Sequence, residues 1–176
     1  MYFNFQLFFF IPPKMRGIAQ RGTLPSVFVC QTELSLEKCF KNIETSGTEK
    51  ITHICCGYPD KLDAINYPKA PLSSYHQIAK LLDNSIIDTV SIEDAHRYND
   101  LVLLENFKKT KIILGLVKIA SSIEETIDEM QMRIEEALNH IDLNRLIVAP
   151  DCGLGHLPRN LAKKKLKTMV EAVKKY

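Results

Sequence analysis

From about residue 51 onward the chain alternates short, continuous apolar runs with stretches of helical periodicity, and that alternation confines it to folds built on a parallel sheet. The apolar runs are Ile51 to Cys56 (ITHICC), Asp88 to Ile92 (DTVSI), Lys111 to Val117 (KIILGLV) and Arg145 to Ala149 (RLIVA). Each is too short for a buried helix, and the first is closed by Gly57, Pro59 and Asp60, so they are expected as buried strands. Helical spacing predicts helices over Tyr75 to Leu82, Tyr98 to Phe107, Ser122 to His140 and Leu161 to Lys175. In the strongest of these, Ile123, Ile127, Met130, Ile134 and Leu138 form one apolar stripe. In the last, Leu166, Met169, Val170 and Val173 are expected inward, with the six lysines on the solvated side. Upstream, Glu33 to Ile43 reads as a helix and Thr45 to Glu49 as a polar turn. The resulting β-α-β-α-β-α-β-α order implies an α/β fold of parallel βα units.

The 176 residues suit one domain but fall short of the roughly 250 that a complete eight-unit α/β barrel needs. A net charge of +2 from 23 basic and 21 acidic residues offers no bulk attraction to nucleic acid or to an anionic membrane. Lys163 to Lys167 lack interleaved aromatics for base stacking and are read as a solvated helix face. No segment is long and apolar enough to span a bilayer, so no membrane partner is expected. The opening MYFNFQLFFFI carries its basic residue after Pro12-Pro13 rather than before the apolar run. It reads as a leader, an edge strand or a truncation scar more than as a secretory signal, and residues 1–30 are left unassigned, with the domain over 31–176. Five cysteines without framework spacing argue against a disulfide scaffold and for reduced thiols in a cytoplasmic protein.

In parallel α/β folds the chemistry gathers where strands end and loops lead into helices. Those ends offer His53-Ile54-Cys55-Cys56, then Glu93-Asp94 with His96 and Arg97, then Lys118 to Ser122, then Pro150-Asp151-Cys152-Gly153. Strand alternation points His53 and Cys55 to one face and Cys56 to the other. Glu93 and Cys152, taken as coming from neighbouring strand ends, can converge on the same point. One imidazole, one carboxylate and two thiolates make a donor set suited to Zn2+. The competing reading is that buried cysteines are small core residues. Cys30, Cys39 and Cys56 are assigned that role or none, and His76, His140 and His156 are read as surface or capping residues.

Three of these segments, His53-Ile54-Cys55, Ser91-Ile92-Glu93 and Pro150-Asp151-Cys152-Gly153-Leu154, resemble the zinc-site motifs of cobalamin-independent methionine synthase in its carboxy-terminal catalytic barrel. The resemblance runs in order from about Ile51 to Tyr176 and includes the closing LKTMVEAV. It implies a partial TIM (βα)8 barrel, about half of one, with zinc held by His53, Cys55, Glu93 and Cys152. It also implies methyl transfer from a methyltetrahydrofolate to homocysteine, giving methionine. The family's proton-transfer histidine falls at Ala120 here, and the barrel units that supply most folate contacts are not among the four found. Two other readings therefore stand beside it: a zinc methyltransferase acting on another small thiol, and a non-catalytic zinc-binding half-barrel whose exposed edges favour self-association.

Overall fold

The computed structural model describes residues 5–10, 36–40, 48–55, 57, 59–67, 69 and 71–176. Five parallel strands form one sheet: β1 (Phe5–Phe10), β2 (Lys50–Cys55), β3 (Thr89–Ile92), β4 (Lys111–Val117) and β5 (Leu146–Pro150). Their spatial order equals their chain order. A doubly wound sheet reverses direction at a switch point, whereas strands laid down in one direction are what a barrel requires. The architecture is thus α/β, a run of βα units making about half of a (βα)8 barrel. Residues 5–10, in the aromatic opening, are the edge strand and pair with β2 from Phe5↔Lys50 to Phe10↔Cys55. That gives five strands among the described residues, where periodicity after residue 50 indicated four.

Among the described residues, three complete helices cover the sheet: α1 (Ser73–Asn84), α2 (Ile127–Leu138) and α3 (Arg159–Val173). Between β3 and β4 the chain makes only a 3-10 turn, Leu101–Asn106, capped by the Asp100 side chain on Val102 N–H at 3.1 Å. Registers Thr52↔Val90 and Val90↔Ile112 carry the same face from strand to strand. On that face Ile54, Val90, Ile92, Ile112 and Leu114 pack with Tyr75, Ile78, Leu82, Leu104 and Ile134 in one core. Removing apolar side chains this buried costs about 2–5 kcal/mol each, so the helix-facing side supplies most of the cohesion. Of the helix predicted over Glu33 to Ile43, residues 36–40 are helical, with Leu36 and Phe40 joining the core; the rest lies outside the described residues. The polar turn predicted over Thr45 to Glu49 falls largely outside them as well.

Three helix expectations change. The helix predicted over Tyr98 to Phe107 is the shorter 3-10 segment Leu101–Asn106. The predicted Ser122 start of α2 moves to Thr126, which caps Glu129 N–H at 3.2 Å while Glu129 returns a bond to Thr126 N–H at 2.8 Å. Glu125, just before the cap, is drawn inward to Lys118 N–H at 2.8 Å and Lys165 Nζ at 3.1 Å rather than joining the helix. Ile123 is left 74% exposed and Ile127 is also exposed, and Arg133 and Ala137 take their places beside Met130 and Ile134 on the buried stripe. In α3 the lysines are not all solvated: Lys165 is fully buried and Val170 is exposed. The buried ammonium is held by Glu125 and by the Lys118 carbonyl at 3.2 Å.

Candidate active site

The other face of the sheet is polar toward the carboxyl ends of the strands. Alternation from Ile54 places His53 and Cys55 on that face, and the register His53↔Ser91 places Ser91 beside His53. His53 Nδ1 lies 2.9 Å from Ser91 Oγ, which fixes the ring. Burial pushes the His53 pKa down to about 4, so its imidazole is neutral at physiological pH.

Glu93 leaves the end of β3 nearly buried. Its Oε2 accepts from Lys69 Nζ at 2.7 Å and its Oε1 from the Tyr75 hydroxyl at 3.2 Å. Both donors are outside the motifs read from the sequence. Lys69 comes from the long excursion between β2 and α1, where the same excursion crosses toward the β4 loop: Asp63 N–H donates to Ala120 O at 2.9 Å, and Asp63 Oδ1 accepts from Ser122 N–H at 2.7 Å.

Cys152 follows β5 and is half-buried; burial raises its pKa, and the charges of Glu93 and Asp151 raise it further. Glu93 is therefore close enough to be felt by the thiol, yet the two do not come from neighbouring strands. Glu93 follows β3 and Cys152 follows β5, with β4 between them. What spans the gap is Asp151. Its Oδ1 accepts from the N–H groups of Asp94 and Ala95, both at 2.9 Å, and its Oδ2 from that of His96 at 2.7 Å. The carboxyl passes over Gly115 of β4, where a Cβ would stand 2.1 Å from Asp151 Oδ1 and 2.9 Å from its Cα. Burial pushes the Asp151 pKa up to about 7 against the pull of those three N–H groups.

The loop that Asp151 holds is anchored a second time. Asp94 is fully buried and receives Arg133 Nε at 2.7 Å and Nη2 at 2.9 Å, a two-pronged pair, together with Asn99 N–H at 2.7 Å. Arg133 also lies over the Tyr98 ring at 4.5 Å. His96 packs its ring edge-on to Tyr67 and accepts the Ala120 N–H on Nε2 at 3.1 Å.

Of the four residues expected to hold metal, His53, Cys55, Glu93 and Cys152 all lie at the carboxyl end of the strands. Among the described residues no three His, Cys, Asp or Glu side chains converge closely enough to hold an ion, and Glu93 is turned to Lys69 and Tyr75. The donor chemistry nevertheless suits zinc: a neutral imidazole, two thiols and a carboxylate. Cys39 is exposed and takes no part in the core, and Cys30 and Cys56 are outside the described residues. His76 is exposed, and His140 pairs with Glu105 at 2.7 Å on the surface.

Half of a parallel α/β barrel, with a buried polar site on the strands' carboxyl ends, places this chain among barrel proteins that carry function on that face. The profile described as cobalamin-independent synthase, catalytic domain, matches residues 43–175, and the chain belongs to that family. It is 32% identical to the methionine synthase of Pyrococcus abyssi over 103 residues, 58% of this chain and 30% of that protein. It is 34% identical to the 5-methyltetrahydropteroyltriglutamate–homocysteine methyltransferase of Buchnera aphidicola subsp. Acyrthosiphon pisum over 132 residues, 72% of this chain and 15% of that one. Among solved structures, a B12-independent methionine synthase from Shewanella sp. W3-18-1 in complex with selenomethionine superposes with a TM-score of 0.70 at 21% identity, over 99% of this chain and 48% of that chain. The chain thus spans about a third or less of the length of these two curated relatives, and about half of the solved one. Among the described residues no helix is long and apolar enough to cross a membrane.

Proposed function

We propose that this chain carries the zinc half of a methyltransferase that moves a methyl group from a methyltetrahydrofolate to homocysteine, with His53, Cys55, Glu93 and Cys152 as the metal ligands. The observation behind this reading is the family match over 43–175, a span that contains all four residues at the functional end of the sheet. Zinc at such a site supplies one thing, a thiolate from a thiol whose ordinary pKa of about 8.5 leaves it mostly protonated at neutral pH.

The chain's own residues do the rest. Ser91 fixes the His53 ring, and burial keeps that ring neutral, the form that binds metal. With zinc bound, Glu93 would be the one hard donor among softer ones and so the most weakly matched member of the set. Lys69 and Tyr75 donate to its carboxylate and hold it at the carboxyl end of β3. His96, which accepts the Ala120 N–H, puts an imidazole beside the position where the resemblance sets the family's proton-transfer histidine. The reading includes a cytoplasmic setting, no nucleic-acid or membrane partner, and self-association through the exposed sheet edges, which sizing of the purified chain would reveal.

The test is methionine formation. Zinc-supplemented chain is incubated with homocysteine and methyltetrahydropteroyltriglutamate, and product is measured beside Cys152→Ser. Methionine that disappears in the variant supports the reading. Homocysteine binding that depends on Cys152, without methionine, removes the folate donor and keeps the zinc–thiol half; neither binding nor product overturns it.

A further inference from the structure

We infer that Asp151 is a positioning residue that sets the distance between the ligand-bearing ends of β3 and β5. This rests on the zinc reading of the site and adds to it a residue that is not itself a ligand. Glu93 and Cys152 stand on strands separated by β4, so sheet hydrogen bonding alone does not join their loops directly. The join is made by one side chain. Asp151, adjacent to Cys152, takes the consecutive N–H groups of Asp94, Ala95 and His96, which begin immediately after Glu93. Three bonds of 2.7–2.9 Å from a nearly fully buried carboxyl to a backbone run leave that loop little freedom relative to β5.

Two further features belong to the same device. Gly115 is the only residue type that lets the carboxyl cross β4, since any side chain there would meet both the Asp151 oxygen and its backbone. The backbone of Asp151 is tied to β4 as well, its N–H donating to Val117 O at 3.1 Å. The clamp is therefore fixed at its base and directed at the loop. Groups that orient metal ligands without touching the metal typically change affinity 10–100-fold when altered.

Asp83 provides a matched control. It is also a buried carboxylate that accepts consecutive backbone N–H groups, Lys109 at 3.1 Å and Thr110 at 3.0 Å, but at the opposite end of the strands. Zinc affinity is measured by competition with a chromophoric chelator, and coordination by the thiolate absorption of the Co2+-loaded chain. This is done for the 176-residue chain and for Asp151→Asn, Asp83→Asn and Cys152→Ser. Asp151→Asn is expected to weaken zinc about 10–100-fold and to alter the Co2+ spectrum, while Asp83→Asn changes affinity by less than about threefold. Gly115→Ala, which displaces the carboxyl without removing it, is the second variant should Asp151→Asn fail to fold, and it is expected to weaken zinc in the same direction. If Cys152→Ser abolishes binding but Asp151→Asn and Gly115→Ala leave it unchanged, or if Asp83→Asn weakens it equally, the positioning role is wrong and the zinc reading stands. A wild-type chain that takes up no zinc overturns both.

Discussion

At the amino-terminal end of the strands, carboxylates stitch elements together, Asp88 and Glu49 in contact with solvent and Asp83 buried. Asp88 Oδ2 accepts from Lys50 N–H at 2.8 Å, Asp83 from Lys109 and Thr110, and Glu49 from Thr89 and Lys111. Burial raises the Asp83 carboxyl, but N–H donors from Thr110, Lys108 and Lys109 outweigh it and hold the pKa below its ordinary value. The hydroxyl of Thr89, opposed by burial and aided by Lys111, does the same for Glu49. At the carboxyl end the same device is built from deeper material. Asp151 keeps three N–H donors yet has its pKa pushed up to about 7 by burial, and His53 and His96 are pushed down to about 4. At one end hydrogen-bond donors outweigh burial and keep the carboxylates charged. The other holds its ionisable groups where charge is costly, which is where tuned chemistry is found.

The comparison breaks first at Arg133. Replacing it with Met leaves Asp94 buried without its two-pronged partner, and is expected to cost about 3–5 kcal/mol in urea unfolding. Asp83→Asn at the other end should cost only about 1–3 kcal/mol. Equal losses would mean that the carboxyl end is no more dependent on its polar network than the amino end. A smaller contrast lies among glycines. Gly115→Ala forces a Cβ to 2.1 Å from Asp151 Oδ1 and should destabilise by about 1–3 kcal/mol. Gly153→Ala meets nothing within 4 Å and should stay within about 0.5 kcal/mol.

The smallest effect is in pH. The His96 pKa is lowered from 6.5 to about 4 by burial first, then by Lys69, Lys118 and Lys165. The unfolded chain therefore takes up a proton that the folded chain refuses. The contribution of the neutral ring is complete above pH 6.5 and is lost as pH falls from 6.5 toward 4. Asp83 and Glu49 have the opposite placement. Their contributions are complete above the unfolded values of 3.8 and 4.5 and are lost only as pH falls through their lower folded values. Subtracting the stability curve of His96→Gln from that of wild type should give a slope confined to pH 4–6.5; a flat difference would show that the ring is solvated.

Much of this was legible in the sequence because apolar runs and helical periodicity report burial directly. β4 begins and ends where KIILGLV does, and β2 and β5 agree within one residue. The His-x-Cys alternation puts His53 and Cys55 on one face, and that face is the polar one. What was not legible depended on long-range partners. Nothing local says that Glu125 will turn inward to Lys165, or that one of four similar lysines in α3 is buried. Asp151 stood in view within Pro150-Asp151-Cys152-Gly153, but its role needs a loop more than fifty residues away and a glycine on the strand between. Lys69 lies in an irregular excursion with no periodicity to read, and only its 2.7 Å contact with Glu93 marks it.

The most direct test of the carboxyl-end site is metal content. Protein purified from zinc-supplemented cells, desalted and analysed by mass spectrometry for bound metals, is expected to carry about one zinc per chain. Cys152→Ser, folded by circular dichroism, is expected to carry almost none. A folded wild-type chain free of zinc, or a Cys152→Ser chain that retains it in full, would contradict the account.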